Sequence, residues 1–327
     1  MIKILFLLVV SYIALTSCAG IADKVLKKED NEKFLYLVAG FDDAAENTDV
    51  LFTVGYSKPE NKVYVAQIPR DTYFAFGGAQ NKINQLYAYK RSQGEDKLTA
   101  MKSTANAIAS LFGTKFDGFI GITTEGFRKV VDGLGGVDLY LNSDMVLNLD
   151  EKAPLRLNKG INHIDGSTAE SFIRYRKGYT MGDLGRIDAQ KIFLNALFAK
   201  LSQGITLPSL IALIDVANDN IVTDLNLTEI ASFVVANLRA KDGGTSSFVT
   251  VPGEPIQSKS GLSYYVLNRK SSAEISTRYM FAEGEFDRNK LCLNSSDAGF
   301  ANIYEDDYIK PHEYSSDGVA DMHILKN

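Results

Sequence analysis

The sequence predicts an α/β domain in which helices cover both faces of a mainly buried sheet. Two observations carry that expectation. Short apolar runs with strand character are intermixed along the chain with longer segments of helical periodicity. The first runs, at 34–39 (FLYLVA) and 50–56 (VLFTVGY), are apolar at nearly every position, which suits strands covered on both faces rather than one. Composition agrees: 45% of the 327 residues are apolar and 23% charged, the usage of a folded protein and not of a fibre or a disordered chain.

The elements follow in order. The run at 34–39 is stopped by Gly40, and the run at 50–56 is joined to an alternating stretch at 63–68 by Lys58-Pro59-Glu60-Asn61, a turn sequence. Helical periodicity spans 98–112, and 116–122 reads as a strand. A helix over 124–134 closes at Gly135-Gly136, where glycine takes the left-handed conformation without steric cost. Further helices are expected at 167–176, 184–201, 207–216 and 227–238, the last with Asn226 and Glu229 at capping-box spacing, and a strand at 247–251. These elements make one domain over residues 33–280, followed by a C-terminal extension at 281–327.

The N-terminal segment is of another kind. One lysine precedes an apolar run from residue 4 to 15, about half of the ~20 residues a membrane span needs, so residues 1–17 suit a secretory signal peptide. The run leads into Leu15-Thr16-Ser17-Cys18, which resembles a bacterial lipobox and implies cleavage before Cys18 and lipid attachment to it. The alternative is a plain secretion signal or short anchor in which Cys18 is incidental. Residues 18–32 are polar and charged, a tether. The second cysteine is Cys292, so acylation of Cys18 leaves no intramolecular disulfide and the domain relies on its core. The net charge of -5 argues against a nucleic-acid partner, whose phosphates demand a basic surplus.

Chemistry-bearing residues gather in three places. Gly40-Phe41-Asp42-Asp43 through Asn47-Thr48-Asp49 leaves one buried strand and enters the next, where open α/β sheets present their ligands. Two or three carboxylates there suit a hard divalent cation; equally, Asp42, Asp43 and Asp49 are residues that tighten turns. The second place, Ile68-Pro69-Arg70-Asp71-Thr72, also follows a strand, and Pro69 ends the ladder so that Arg70 is presented from a stiff turn. Its alternative is a surface arginine paired with Asp71, an arrangement worth little. Asn81-Lys82-Ile83-Asn84 and Tyr87-Ala88-Tyr89 follow shortly after.

The third place, 172–178 (FIRYRKG) with 182–188 (GDLGRID), puts Arg174, Arg176, Lys177 and Arg186 within thirteen residues, on a helix end and the glycine-rich loop after it. Arginine bonds phosphate oxygens through a planar fork, and a helix starting near Leu184 adds backbone donors. This reads as an anion cradle; the alternative is a solvated face with Asp183 and Asp188 neutralising Arg186. Gly182 and Gly185 favour the cradle, because glycine lets backbone approach a ligand.

Together with 125–141 (EGFRKVVDGLGGVDLYL), 157–178 (LNKGINHIDGSTAESFIRYRKG), the GDLGRIDAQKIFL stretch and VPGEP with GLSYYV near 251–266, these motifs occur in an order that resembles the catalytic domain of the LytR-CpsA-Psr family over residues 34–266. The resemblance implies a three-layer α-β-α sandwich with a central, mostly buried mixed sheet, held by its lipid anchor at the extracytoplasmic face of the bacterial membrane. It implies an enzyme, a phosphotransferase that moves a glycopolymer phosphate from a polyprenyl pyrophosphate carrier to peptidoglycan, with pyrophosphate hydrolysis as a side activity. Carried over by motif, Asp42 and Asp49 would hold Mg2+ or Mn2+. Arg70, Arg174, Arg176, Asp183 and Arg186 would be the pyrophosphate-binding and catalytic positions, with Lys82, Asn84, Lys177 and Gln190 contacting substrate. Asp43 or Asp49 remains open as a base, whereas His163, His312 and His323 stand beside none of the motifs. One departure bears on activity: the family's loop reads like G-x-D-x-R and then R-S-D-T, and Ala44 and Asn47 stand here at the two arginine positions. That keeps open a regulatory lipoprotein that binds polyprenyl phosphate without transferring it.

Overall fold

A computed structural model describes residues 33–42, 44, 46–79, 81–147, 154–175, 183–202, 220–225, 245–258, 261–287 and 308–315, with side chains at 183–188, 198, 201–202 and 245 left aside. The signal segment, Cys18, the expected helices at 207–216 and 227–238, and Arg176 and Lys177 lie outside the described residues.

Three strands open the fold: β1 (Lys33–Phe41), β2 (Thr48–Ser57) and β3 (Lys62–Gln67) form an antiparallel meander. After α1 (Leu86–Ser92) and α2 (Lys97–Phe112), β4 (Gly118–Ile122) pairs parallel with β1. Then come α3 (Thr124–Gly133), the small strands β5 (Val137–Leu141), β6 (Met145–Leu147), β7 (Leu155–Leu157) and β8 (Gly160–Ile164), and the helices α4 (Gly166–Arg174) and α5 (Asp183–Ser202). β9 (Ile221–Thr223), β10 (Thr245–Thr250), the β11 (Gly253–Gln257) and β12 (Ser263–Leu267) hairpin, α6 (Arg269–Tyr279) and β13 (Glu313–Ser315) complete it. The main sheet has seven strands in the order β13-β10-β3-β2-β1-β4-β9. β10 runs parallel to β3, while β9 and β13 close the two edges antiparallel.

Strand periodicity divides the core in two. Leu35, Leu37, Ala39 and Phe41 of β1 point to the face packed by Met101, Ile108 and Phe112 of α2 and by Ile275 and Tyr279 of α6. Phe34 and Tyr36 point the other way, to Val131, Phe172, Ala189 and Phe193 of α3, α4 and α5. Helices therefore cover both faces, giving the mixed-sheet α-β-α sandwich that the sequence predicts. Each fully buried Leu or Phe contributes about 1.5–3 kcal/mol, so the two clusters carry the fold. Helix starts are fixed by side chains: Asp96, Thr123, Asp165 and Asn268 each accept a backbone N–H of the first turn. α2 ends on Gly113 at φ 62, against which the backbone of Gly284 packs so closely that no Cβ would fit.

The domain continues past residue 280. β13 adds to the edge of the sheet beside β10, and Phe286 is buried against Phe112 with ring centroids 5.5 Å apart. Residues 281–287 and 308–315, the described parts of the extension, thus pack as part of the same fold.

Candidate active site

β1, β3, β4 and β10 run in one direction and β2 against them, so the carboxyl ends of four strands and the amino end of β2 share one edge of the sheet. The register is explicit: Gly40 faces Ile122, Phe41 faces Thr48, and Gln67 faces both Phe52 and Thr250. Asp42, Asp49 and Arg70, separate in sequence, are thereby delivered to the edge where such sheets bind ligands.

Arg70 is the best-defined group there. The turn that carries it is closed by Thr72, whose N–H and Oγ1 both donate to the Pro69 carbonyl, at 3.0 and 2.6 Å. It is grafted to β12 by two further bonds, Tyr73 N–H to Tyr265 O and Tyr265 N–H to Asp71 O, both 2.8 Å. From this fixed base Arg70 Nη1 donates to Asp49 Oδ1 at 2.8 Å, with the arginine side chain 19% exposed. Its Nε is buried without a hydrogen-bond partner, 3.9 Å from Asp71 Oδ2. Asp71 is itself bonded by Lys82 Nζ at 2.7 Å. Arg70, Asp71, Lys82, Asn84 and Tyr264 border a cavity of about 440 Å³. Arg70 is paired, as the alternative of a surface arginine expected, but mainly with Asp49 rather than Asp71, and in a recess rather than on the surface.

Asp42 closes its own loop, accepting from the Glu46 N–H on Oδ1 and from Asn47 Nδ2 on Oδ2, both at 2.8 Å. It does the work of a turn former, yet each carboxylate oxygen has a second lone pair to offer. Among the described residues no group of three or more His, Cys, Asp or Glu converges as a metal cage. A magnesium ion does not require one, since it takes one or two carboxylates and completes its shell with phosphate oxygens and water. Asp42 and Asp49, an all-oxygen pair at the ligand edge, fit that requirement by type.

The remaining expected site residues divide. Asn84 sits on the cavity with its Oδ1 buried and unbonded, its backbone tied to the site through Thr48 and Arg70. Gln190 does not face the cavity border: it is buried in α5, accepts from Gln67 Nε2 at 2.7 Å and reaches the Ile173 carbonyl at 3.4 Å, pinning α5 and α4 to the end of β3. Arg174 ends α4 half exposed and bonded to Glu170 one turn earlier at 2.8 Å. Asp183 starts α5, and Arg186 lies one turn before Gln190 in the same helix. His163, half exposed on β8, pairs with Asp138 on β5 at 2.7 Å, away from the sheet edge.

Sequence reasoning missed Gln67, Asp71 and Tyr265 as organisers of the site. Tyr265 is held neutral by burial, its hydroxyl pushed up to about 12. Its signal was present in the GLSYYV stretch, but the parallel bridge from Thr72 to Tyr265 is a contact between segments almost two hundred residues apart.

Residues 15–280 match the model of the LytR_cpsA_psr family. The chain belongs to this family. It is 27% identical over 207 residues to TagV of Bacillus subtilis, a polyisoprenyl-teichoic acid–peptidoglycan teichoic acid transferase, across 60% of this chain and 51% of that protein. It is 26% identical over 257 residues to the transferase TagU of Bacillus mycoides, across 77% and 79% of the two chains. The chain thus spans about half the length of TagV. Among solved structures, the Lin1025 protein from Listeria innocua aligns with a TM-score of 0.59 at 26% identity, over 77% of this chain and 98% of that one. The crystal structure of B. subtilis TagV aligns at 0.61 and 21% identity, over 78% and 98%, a shared fold. No helix of the described residues is long and apolar enough to cross a membrane.

Proposed function

We propose that this chain is a glycopolymer transferase at the extracytoplasmic face of the bacterial cytoplasmic membrane, anchored through lipid on Cys18, that passes a phosphorylated glycopolymer from a polyprenyl pyrophosphate carrier to peptidoglycan. The observation that carries the reading is Arg70, set by Pro69 and Thr72, held by Asp49 and left with an unused Nε donor at the ligand edge of a sheet shared with named transferases.

The residues supply what the reaction needs. A hydroxyl oxygen of the acceptor attacks the phosphorus nearest the glycopolymer, and its proton passes through water to the departing lipid phosphate as the new P–O bond forms. The bond from that phosphorus to the bridging oxygen breaks, and its electron pair leaves with the lipid phosphate. Negative charge grows on the bridging oxygen, and fixed arginine donors there lower the barrier without reorganising. Arg70 is one such donor; Arg174, Arg176 and Arg186 follow by motif. Asp42 and Asp49 would hold Mg2+ or Mn2+, which neutralises phosphate charge. Asp49 bonds Arg70, so its carboxylate holds the arginine in place rather than acting as a base. Lys82, oriented by Asp71, adds a point charge for a phosphate oxygen.

The second reading, a lipoprotein that binds polyprenyl phosphate without transferring it, is favoured by one observation. At a position where the family has arginine, Asn47 spends its amide on Asp42. Mass spectrometry of lipid extracted with the membrane-purified chain tests the carrier common to both. A prenyl phosphate or pyrophosphate is expected in stoichiometric amount, and an extract holding only bulk membrane lipid would contradict both readings.

A further inference from the structure

Three of the arginines assigned to the phosphate stand within one turn of a short chain of buried amides. Gln67 ends β3, three residues before Arg70, and is itself fixed in the sheet. Its carbonyl accepts the Val251 N–H at 2.9 Å, and it lies in register between Phe52 and Thr250. Its Nε2 donates to Gln190 Oε1 at 2.7 Å, across 123 residues of sequence, and Gln190 Nε2 in turn reaches the Ile173 carbonyl at 3.4 Å. Gln190 follows Arg186 by four residues in α5, and Ile173 directly precedes Arg174 at the end of α4. Both glutamines are buried, at 5% and 6% exposure.

Stability alone does not account for this arrangement. Two apolar side chains of the same size would hold β3 and α5 together without burying polar groups, and the neighbouring Ala189, Ile192 and Phe193 of α5 pack in that way. Gln67 Oε1 is moreover buried without a partner, a desolvation cost that the single bond from Nε2 does not recover. What the amide bond adds is direction. Apolar contacts are non-directional, whereas a hydrogen bond tolerates only a few tenths of an ångström and a limited range of angle. Each residue of slip along a helix moves its side chains by about 1.5 Å and turns them by about 100°. Residues four apart share one helix face, so fixing Gln190 fixes the face on which Arg186 stands.

We propose that Gln67 is a positioning residue: through Gln190 it sets α5 against the end of β3, and thereby holds Arg186 at the pyrophosphate that Arg70 binds. The proposal rests on the carrier-pyrophosphate reading and adds to it a coupling between two of the arginines. Neither glutamine needs to touch the ligand. Gln190, expected from its motif to contact substrate, then serves the same site from one turn away, by keeping the helix in register.

The test measures two quantities on the full chain, the melting temperature and the calorimetric affinity for a short-chain prenyl pyrophosphate, in Gln67→Met, in Gln190→Met and in the variant carrying both. Each single substitution leaves one amide buried and unpaired, and the melting temperature falls. The double substitution replaces both partners with side chains of similar size, and the melting temperature recovers. Affinity behaves differently: it falls about tenfold in either single variant and stays about tenfold down in the double one. In an Arg186→Ala background the double substitution costs less than about twofold more, because its effect passes through that arginine. Affinity that recovers along with the melting temperature would show a merely structural contact and overturn the proposal, as would an undiminished tenfold loss in the Arg186→Ala background. If a single variant does not fold, the double variant decides between these outcomes. The affinities do not depend on transfer. A chain that binds the carrier with this pattern and moves no glycopolymer supports the positioning role and counts against the transferase reading. Transfer with affinities unmoved by the substitutions overturns the positioning role and leaves the transferase reading standing.

Discussion

Arg70 and Asp49 show what single residues contribute. A charge-assisted bond to a phosphate oxygen is worth roughly 1.5–3 kcal/mol, about ten- to a hundredfold in rate. A lysine at position 70 keeps the charge and loses the planar fork. Arg70→Lys is expected to fold normally and lose at least about tenfold in turnover on a short-chain lipid pyrophosphate donor, whereas a merely structural ion pair would cost under about 1 kcal/mol of stability and no turnover. The acids make a second prediction. Turnover should fall in chelator, return with magnesium or manganese, and lose that response in the Asp42→Ala, Asp49→Ala double variant; equal rates with and without metal would mean that Asp42 only closes its loop. Asp42 and Arg70 were legible in the sequence as residues just past apolar strands, and Asp49 as one at the entry to the next. Their pairing was not, because residues 49 and 70 meet only through the register that sets Phe52 opposite Gln67. Gln190 shows what motif order leaves out: its motif suggested substrate, while the structure gives the buried amide a protein partner in Gln67.

At the scale of elements, the runs of continuous apolar residues gave the central strands, and the period of 3.6 gave α2, α3 and α5 to within a few residues. The small strands β5 and β8 and the β11–β12 hairpin were not anticipated, though β5 alternates buried and exposed residues cleanly; short strands bounded by ordinary residues carry little periodic signal. The hairpin matters, since β12 anchors the Arg70 turn and carries Tyr265. The Tyr265 hydroxyl sits at about 12 against 10.0 for a free tyrosine, because burial disfavours the phenolate. The unfolded chain therefore releases this proton first as pH rises, so its stabilisation is whole below pH 10 and is lost between 10 and 12. The full span is worth on the order of 2 kcal/mol. Tyr279, likewise raised to about 12 by burial, adds a similar loss. Melting temperatures recorded from pH 8 to 11 should fall less steeply in Tyr265→Phe than in the unsubstituted protein; superimposable slopes would show that the hydroxyl is solvated in the folded state.

At the scale of the molecule, the meander, the two parallel crossovers and the helices on both faces converge on one purpose. They bring the ends of four parallel strands and the start of β2 to a single edge, and the Arg70 turn, the acids and the cavity beside them all stand on it. The family motifs made this architecture readable from the order of the motifs alone, while the role of residues beyond 280 was invisible, because β13 is three residues long and joins β10 from the far end of the chain. The central claim is that this edge catalyses phosphoryl transfer from a lipid carrier to a glycan. The most direct measurement incubates the purified full chain with a radiolabelled glycopolymer on a short-chain polyprenyl pyrophosphate and with peptidoglycan oligomers, and follows label into the glycan. The account predicts label in peptidoglycan, release of the lipid phosphate in equal amount, and loss of at least about nine-tenths of the rate in Arg70→Lys. A chain that binds the donor yet moves no label to any glycan, with the substituted and unsubstituted proteins alike, would contradict it.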